Sequence, residues 1–143
     1  MDFAERIRAS FAKQGMMATL GATLEKIESG AVEIALRPSP AIAQQHGFVH
    51  AGAIAAIADN ACGFSALSLM PEGTGVLTTE FKLNLVAPAA GNLLIARGRV
   101  VKAGRTLTLT MAEVFAVSGG EEKLVALMTA TMMSVRGRDG ISD

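Results

Sequence analysis

The feature that most constrains the fold is a stretch from Ala51 to Met70 that contains no Lys, Arg or Glu and consists mainly of small and apolar residues. About 20 apolar residues are enough to span a membrane. This stretch, however, carries Asp59 near its middle, and an acid at that depth costs roughly 2.5–3.5 kcal/mol on insertion. The sequence therefore predicts a helix buried in protein, from about Gly52 to Met70.

The remainder of the chain shows helical and strand-like patterns in a simple order. Phe3, Ile7 and Phe11 recur at helical spacing, which predicts a short covering helix over residues 2–13. Apolar runs between turn residues predict strands, over residues 18–27, 31–36, 75–86, 92–102, 105–117 and 123–135. The loop that ends at His50 begins with two prolines and contains two glutamines and both histidines of the chain. Residues 136–143 form a polar tail that we expect to be frayed.

This order of elements predicts an α+β fold, with one domain over residues 1–143. A helix that is apolar on all sides has to be buried on most of them, and a strongly curved antiparallel sheet wrapped around it achieves this with the fewest elements. The strand over 123–135 is apolar on both faces, so we expect it inside the sheet. Sheet edges and one helix flank remain uncovered. We therefore expect a homodimer with sheets joined edge to edge, or a tetramer of two such dimers.

Charge and cysteine content exclude several classes of partner. Thirteen basic and thirteen acidic residues cancel, so no overall field favours a nucleic acid or an anionic membrane, and we expect neither as a partner. Cys62 is the only cysteine, which indicates a reducing compartment. Residues 1–6 lack the apolar segment of a signal peptide. These features predict a cytoplasmic protein.

Common catalytic motifs are missing from the sequence. It contains no G-x-S-x-G, H-E-x-x-H, C-x-x-C, P-loop or dinucleotide-binding glycine pattern. His46 and His50 have a spacing that can share a metal on a helix, but Gly47 argues against a helix there, and a catalytic zinc needs three protein ligands. We therefore expect no metal and no cofactor.

Asp59 is the residue that local rules disfavour, because helix propensity, pattern and burial all count against an acid at this place. Pattern alone leaves open whether it is functional, solvated or part of a structural hydrogen bond. His50, Ala51 and Gly52 stand at the predicted start of the same helix, where free amides and the positive end of the helix dipole can hold a developing oxyanion. This combination favours acyl transfer, with Asp59 as general base or as nucleophile.

Three segments resemble the hotdog-fold acyl-CoA thioesterases of the phenylacetic acid degradation (PaaI) type and their hydroxybenzoyl-CoA relatives. The resemblance covers residues 32–135, and its specific parts are Gln44-Gln45-His46-Gly47-Phe48-Val49-His50-Ala51-Gly52, then Asp59, then Thr78-Thr79-Glu80-Phe81-Lys82-Leu83-Asn84-Leu85-Val86-Ala87-Pro88. It implies the hotdog fold, a curved antiparallel sheet around one long helix. It also implies hydrolysis of an acyl-CoA thioester to a free acid and CoA, with no cofactor besides the CoA of the substrate.

The resemblance also implies roles for individual residues. Asp59 matches the catalytic carboxylate, and Gln44 matches an amide residue that places the thioester or the water. His50 matches a histidine that supports the substrate carbonyl, and the Ala51 amide matches the oxyanion donor. Thr78 or Thr79 matches a hydroxyl that binds the attacking water, with Thr78 preferred. The implied site residues are completed by Gly52 at the helix start and by Gln45 and Asn60 as substrate contacts.

One departure from the family pattern concerns the helix start. The family has Gly-Gly where this chain has Ala51-Gly52. Alanine supplies an amide but resists positive φ, so it would be strained if the position needed a left-handed backbone.

Coenzyme A phosphates require basic side chains or free amides. We expect these contacts around the turn between the strands at 92–102 and 105–117, from Arg97, Arg99, Lys102 and Arg105. Two other functions are compatible with the hotdog resemblance. One is a non-catalytic acyl-CoA-binding module, and the other is an enoyl-CoA hydratase, which would need a histidine that this chain lacks after His50.

Overall fold

The computed structural model describes residues 2–143. Their elements, in chain order, are α1 (Phe3–Ala12), α2 (Gly15–Leu20), β1 (Thr23–Glu28), β2 (Ala31–Leu36), a 3₁₀ turn (Pro40–Ile42), α3 (Ala51–Leu67), β3 (Gly75–Leu85), β4 (Leu93–Lys102), β5 (Leu107–Ser118) and β6 (Glu121–Val135). The long buried helix and all six predicted strands are confirmed. No helix of residues 2–143 is long and apolar enough to span a membrane.

The six strands form one antiparallel sheet in the order β1-β2-β4-β5-β6-β3. The sheet curves around α3, which packs against β2, β3, β4, β5 and β6. β6 lies between β5 and β3, as its two apolar faces predict. This is the expected α+β hotdog arrangement of a curved antiparallel sheet around one helix, and the fold prediction is confirmed.

The small residues of α3 allow the helix to lie unusually close to the sheet. A Cβ added at Gly98 in β4 would overlap the carbonyl group of Ala61 and would lie 2.9 Å from the Ala61 Cβ. At the end of the helix, the Ser68 hydroxyl donates to the Ser65 carbonyl at 2.7 Å and accepts from the Gly30 amide at 2.7 Å. The position of α3 is thus fixed by a close packing contact and by a polar tie to the β1–β2 turn.

The segment before β1 differs from the prediction. Residues 18–20 belong to the short helix α2 and not to the first strand, which begins at Thr23. Gly21 ends α2 in the left-handed region with φ of 73°, a conformation that glycine adopts without steric cost. The predicted covering helix is confirmed as α1, with Ile7 fully buried and the Phe11 ring packed against Phe64 at 6.0 Å between centroids.

The tail over residues 136–143 is also different from the prediction, because it is docked and not frayed. Asp143 forms an ion pair with Arg6, whose side chain is almost fully buried. The Arg6 guanidinium also donates to the carbonyls of Met70 and Pro71, both at 3.1 Å. A charge that is buried in this way needs a partner, and the tail supplies it.

β3 is an edge strand, and α3 does not cover all of its inner face. Phe81 and Leu85 pair with fully buried residues of β6 and so face the α3 side of the sheet, yet they are 47% and 50% exposed. α3 itself has a half-exposed stripe of small residues at helical spacing. The stripe consists of Gly52, Ala55, Ala56, Asp59, Asn60 and Gly63. These two surfaces are the uncovered edge and helix flank that the sequence predicts.

Candidate active site

Asp59 lies on this half-exposed stripe, at the middle of α3. The Thr78 hydroxyl donates a hydrogen bond of 2.7 Å to Asp59 Oδ1. Burial raises the pKa of the Asp59 carboxyl above its ordinary value, and the hydrogen bond from Thr78 opposes part of that rise. The structure therefore holds a partly desolvated carboxylate that is hydrogen-bonded to a hydroxyl of β3.

A β-bulge in β3 orients the Thr78 side chain toward Asp59. The β3–β6 register shifts between Thr78 and Glu80, which leaves Thr79 as the extra residue. Because of this shift, Thr78 and Phe81 are three residues apart and still face the same side of the sheet, opposite Met132 and Ala130. The Thr79 hydroxyl instead donates to the Thr131 carbonyl at 3.0 Å. Of the two threonines, only Thr78 reaches the carboxylate.

His50 is the N-cap of α3. Its Nδ1 accepts a hydrogen bond of 2.8 Å from the Gly52 amide, so the proton of the neutral ring is on Nε2, which is then free to donate. The Gly52 amide is therefore already engaged. The Ala51 amide is at the first helical position, where no acceptor exists within the helix. Of the two expected oxyanion donors at 51 and 52, Ala51 is the one with a free amide.

The expected strain at Ala51 does not occur. No residue other than glycine among positions 2–143 has positive φ. Ala51 is an ordinary helical residue, so the change from glycine costs nothing in backbone conformation. The family's second glycine is retained as Gly52, where a Cβ would lie 3.1 Å from His50 Nδ1 and would crowd the cap.

The loop before α3 places Gln44, and not Gln45, beside the helix start. The Gln44 Oε1 accepts from the amides of His46 at 2.5 Å and Phe48 at 3.3 Å, which closes the loop. Gln44 and Ala51 line one cleft together with Phe48, Ile54 and the 85–89 segment. Gln45 is exposed and does not line that cleft.

Asp59 and the helix start line two different clefts within one protomer. The cleft at Asp59 is lined by residues of α3, β3, the α1–α2 region and the C-terminal segment, and the cleft at Gln44 and Ala51 opens at the other end of the helix. Eight residues of helix separate Ala51 from Asp59 by about 12 Å. Within one protomer, the Asp59 carboxylate and the Ala51 amide therefore do not face the same cleft.

Two residues missed by the sequence analysis complete the cleft at Asp59. The Asn60 amide donates to Gln14 Oε1 at 2.7 Å, and Ser10 lies on the same wall. The Asn60 Oδ1 is buried and has no hydrogen-bond partner. Ser10 and Gln14 precede the first strand, in a region whose sequence shows only a covering helix, so no motif could have indicated them.

The four basic residues expected to bind CoA are all at the surface of the sheet, but not all are free. Arg97 forms two hydrogen bonds of 2.6 Å with Glu122, and Glu33 lies 3.3 Å away. Arg99 contacts the Met111 sulfur at 2.7 Å. Lys102 and Arg105 are exposed at the β4–β5 connection. A phosphate at Arg97 would have to displace two carboxylates, so the exposed pair is better suited to an anion.

The remaining candidate groups are structural. Among residues 2–143, no set of three or more His, Cys, Asp and Glu side chains is grouped to hold a metal ion. Burial raises the pKa of the Cys62 thiol to about 12. A buried, protonated thiol is not a nucleophile. The groups that remain as candidates for the chemistry are Asp59, Thr78, Gln44 and the amides at the start of α3.

Comparison with known proteins identifies the family to which the chain is similar. Residues 46–123 match the family model described as the thioesterase superfamily. A thioesterase family protein from Silicibacter pomeroyi is 47% identical, with 94% of this chain and 99% of that chain covered and a TM-score of 0.92. No curated protein sequence matches the chain.

Two further structures share the fold. The E. coli PaaI protein from the phenylacetic acid degradation operon is 18% identical, with 98% and 95% of the two chains covered and a TM-score of 0.83. A putative thioesterase from Ralstonia eutropha, described as phenylacetic acid degradation-related, is 25% identical, with 93% and 99% covered and a TM-score of 0.79. The family match supports thioester hydrolysis as the general reaction. With that match over more than half of its length and a 47% identical relative, the chain belongs to the thioesterase superfamily.

Proposed function

We propose that this protein hydrolyses acyl-CoA thioesters to a free acid and CoA, with Asp59 as the general base or nucleophile. The observation that carries the proposal is the Asp59 carboxylate, half-buried on an apolar helix and hydrogen-bonded by Thr78 at 2.7 Å. Burial strengthens the basicity of the carboxylate. The Thr78 hydroxyl is placed to orient a water between strand and helix, which supports a hydrolytic reaction.

The complete site is proposed to form between two copies of the chain. The 12 Å separation along α3 prevents one protomer from offering the Ala51 amide and Asp59 to the same carbonyl, because each must come within about 3 Å of the reacting group or its water. The half-exposed stripe of α3 and the uncovered inner face of β3 lie next to Asp59. A two-fold pairing through these surfaces would bring Gln44, His50 and Ala51 of one copy to Asp59 and Thr78 of the other.

In that arrangement, each group has a chemical role. The Ala51 amide and the His50 Nε2 proton polarise the thioester carbonyl and stabilise the oxyanion, and Gln44 positions the thioester. Asp59 either removes a proton from a water that attacks the carbonyl, or attacks the carbonyl itself to form a mixed anhydride that water then hydrolyses to the free acid. In both routes the carbon–sulfur bond breaks and CoA leaves as the thiolate. Lys102 and Arg105 are the residues proposed to contact the CoA phosphates.

Replacement of Asp59 by Asn tests the proposal, because it keeps shape and removes the ionisable group. We expect release of CoA from a panel of aryl and aliphatic acyl-CoAs to fall by about 10²–10⁴-fold, which is the range for loss of a general base. Asp139→Asn, the same change at an exposed position, is the matched control and should be fully active. Unchanged turnover of a folded Asp59→Asn protein would refute the assignment.

Assays of the unmodified protein separate hydrolysis from the two alternative functions. A non-catalytic module would release no CoA in the unmodified protein while still binding acyl-CoA. An enoyl-CoA hydratase would consume the enoyl absorbance without release of thiol. Measuring thiol release and enoyl absorbance in parallel therefore distinguishes all three.

A further inference from the structure

The cleft beside Asp59 is a channel with two distinct ends. It has a volume of about 280 Å³ and runs along α3 from Asp59 to Leu67 and along β3 from Thr78 back to Gly75. Asp59 and Thr78 are bonded to each other at one end. Eight residues of helix make the channel about 12 Å long. Away from Asp59, the lining combines apolar side chains, among them Phe64, Leu67 and Val76, with the polar Ser142 and Asp143 of the C-terminal segment.

The far end of this channel is closed by the C-terminal segment, residues 136–143. Ile141 lies directly on Gly75, where an added Cβ would overlap Ile141 Cγ2 and would lie 3.1 Å from the Ile141 carbonyl carbon. Gly75 is the first residue of β3 and lines the end of the channel opposite to Thr78. The absence of a side chain at position 75 thus creates the seat for Ile141.

A buried ion pair holds the segment in place. Arg6 of α1, which is 7% exposed, pairs with the Asp143 carboxylate and also donates to two carbonyls of the α3–β3 connection. The Gly73 amide donates to Asp143 at 3.2 Å. These contacts tie the segment to α1 and to the α3–β3 connection and so hold Ile141 on its Gly75 seat.

We infer that Ile141 is the end wall of the acyl pocket and sets the longest acyl group that the enzyme accepts. The inference rests on the proposed function only in taking the channel as the acyl site. A thioester carbonyl held at Asp59 directs its acyl group along the channel past Phe64, Leu67 and Val76, and Ile141 stands at the far end on its Gly75 seat. The substrate class is therefore acyl groups with an apolar distal end, limited in length by residue 141.

Two substitutions at Ile141 with opposite expected effects test the inference. Ile141→Ala lengthens the channel, so the preferred chain should become longer, and affinity should rise about fourfold for each additional methylene buried. Ile141→Phe shortens it, so the preferred chain should become shorter. Asp139→Ala, in the same segment but exposed and outside the channel lining, should leave the length profile unchanged.

The measurement is equilibrium binding of S-alkyl-CoA thioethers of increasing chain length, which cannot be hydrolysed. Shifts of the length optimum in opposite directions support the end wall, since a merely structural role would weaken all ligands alike. If both variants keep the original dependence of affinity on chain length, the inference is overturned. If one of the two variants does not fold, the other alone tests the inference by the same criterion. Hydrolysis of the matching thioesters is measured separately. Failure of hydrolysis with a shifted binding profile would reject the proposed function and retain the end wall.

Discussion

Replacement of Gly98 by alanine is expected to destabilise the protein, although it adds only one methyl group. The new Cβ would overlap the carbonyl carbon and oxygen of Ala61 and lie 2.9 Å from the Ala61 Cβ. Carbon atoms in contact prefer a separation of about 3.5–4.0 Å. The clash is between the added Cβ on β4 and the backbone of α3, so no side-chain rotation relieves it, and the helix has to move by roughly 1 Å to restore that separation. Overpacking of this kind costs about 1–3 kcal/mol.

Gly63→Ala is a control with the opposite expected sign. Gly63 is inside α3, and a Cβ there meets only the Met132 sulfur, at 4.0 Å. Glycine in a helix interior is less favourable than alanine by about 0.8–1.0 kcal/mol, so this variant should be more stable than the unmodified protein. The same chemical change at a crowded and at an uncrowded glycine thus separates steric overlap from a general effect of added apolar surface.

Urea unfolding measures the free energy of unfolding of both variants. The protein concentration is kept the same throughout, because the stability of an oligomer depends on concentration. A change of 1 kcal/mol corresponds to a shift of about 2–4 °C in melting temperature for a chain near this length. We expect Gly98→Ala to lose turnover as well, since the displaced residue Ala61 is two positions from Asp59. The reasoning is refuted if Gly98→Ala is as stable as the unmodified protein, or if Gly63→Ala is destabilised equally.

Three further predictions follow from the site and its surroundings. In the proposed mechanism Asp59 acts in its ionised form, so activity should fall as the pH drops through its raised pKa. Thr78→Val removes the hydrogen bond that lowers this pKa and should move the acid limb of kcat/KM to higher pH, whereas Thr78→Ser should not. If the acid limb of kcat/KM stays at the same pH in Thr78→Val, Asp59 is not the group that titrates in this limb. Cys62, with a pKa of about 12, should resist a disulfide reagent at pH 8 in the native protein and react fully in denaturant. Rapid reaction of the native protein would contradict this prediction, because it would show that the thiol is accessible. Arg97→Gln should leave the KM for acyl-CoA unchanged because Arg97 is already paired with Glu122, and a raised KM would restore it as a phosphate contact.

The sequence predicted the layered fold because its strongest signals are periodic and local. A 17-residue helix of small apolar residues requires cover on most sides, and the alternation in β3 and the two apolar faces of β6 give their places relative to it. α2 was missed because a six-residue helix has too few turns for a periodic pattern, and the glycine that ends it also resembles a turn between strands.

The sequence predicted those site residues that are unfavourable in their local secondary structure. It did not predict those whose position depends on hydrogen bonds or ion pairs with other parts of the chain. Asp59 stands out because an acid is unfavourable in the middle of an apolar helix. The choice between Gln44 and Gln45 depends on loop hydrogen bonds that spacing does not reveal. The docking of residues 136–143 depends on Arg6, more than 130 positions earlier in the chain, and a polar segment carries no sign of such a partner.

The bulge at Thr79 makes the number of residues in β3 matter as much as their identity. Deleting this one residue would restore regular alternation, and either Thr78 would turn to the outer face of the sheet or Phe81 and its neighbours would do so. In the first case, the chain would retain every side chain of the proposed chemistry and still separate the Thr78 hydroxyl from the Asp59 carboxylate. In alignments of related sequences, a gap of one position in this strand is therefore expected to indicate a change of activity even where Asp59 and Thr78 are both present.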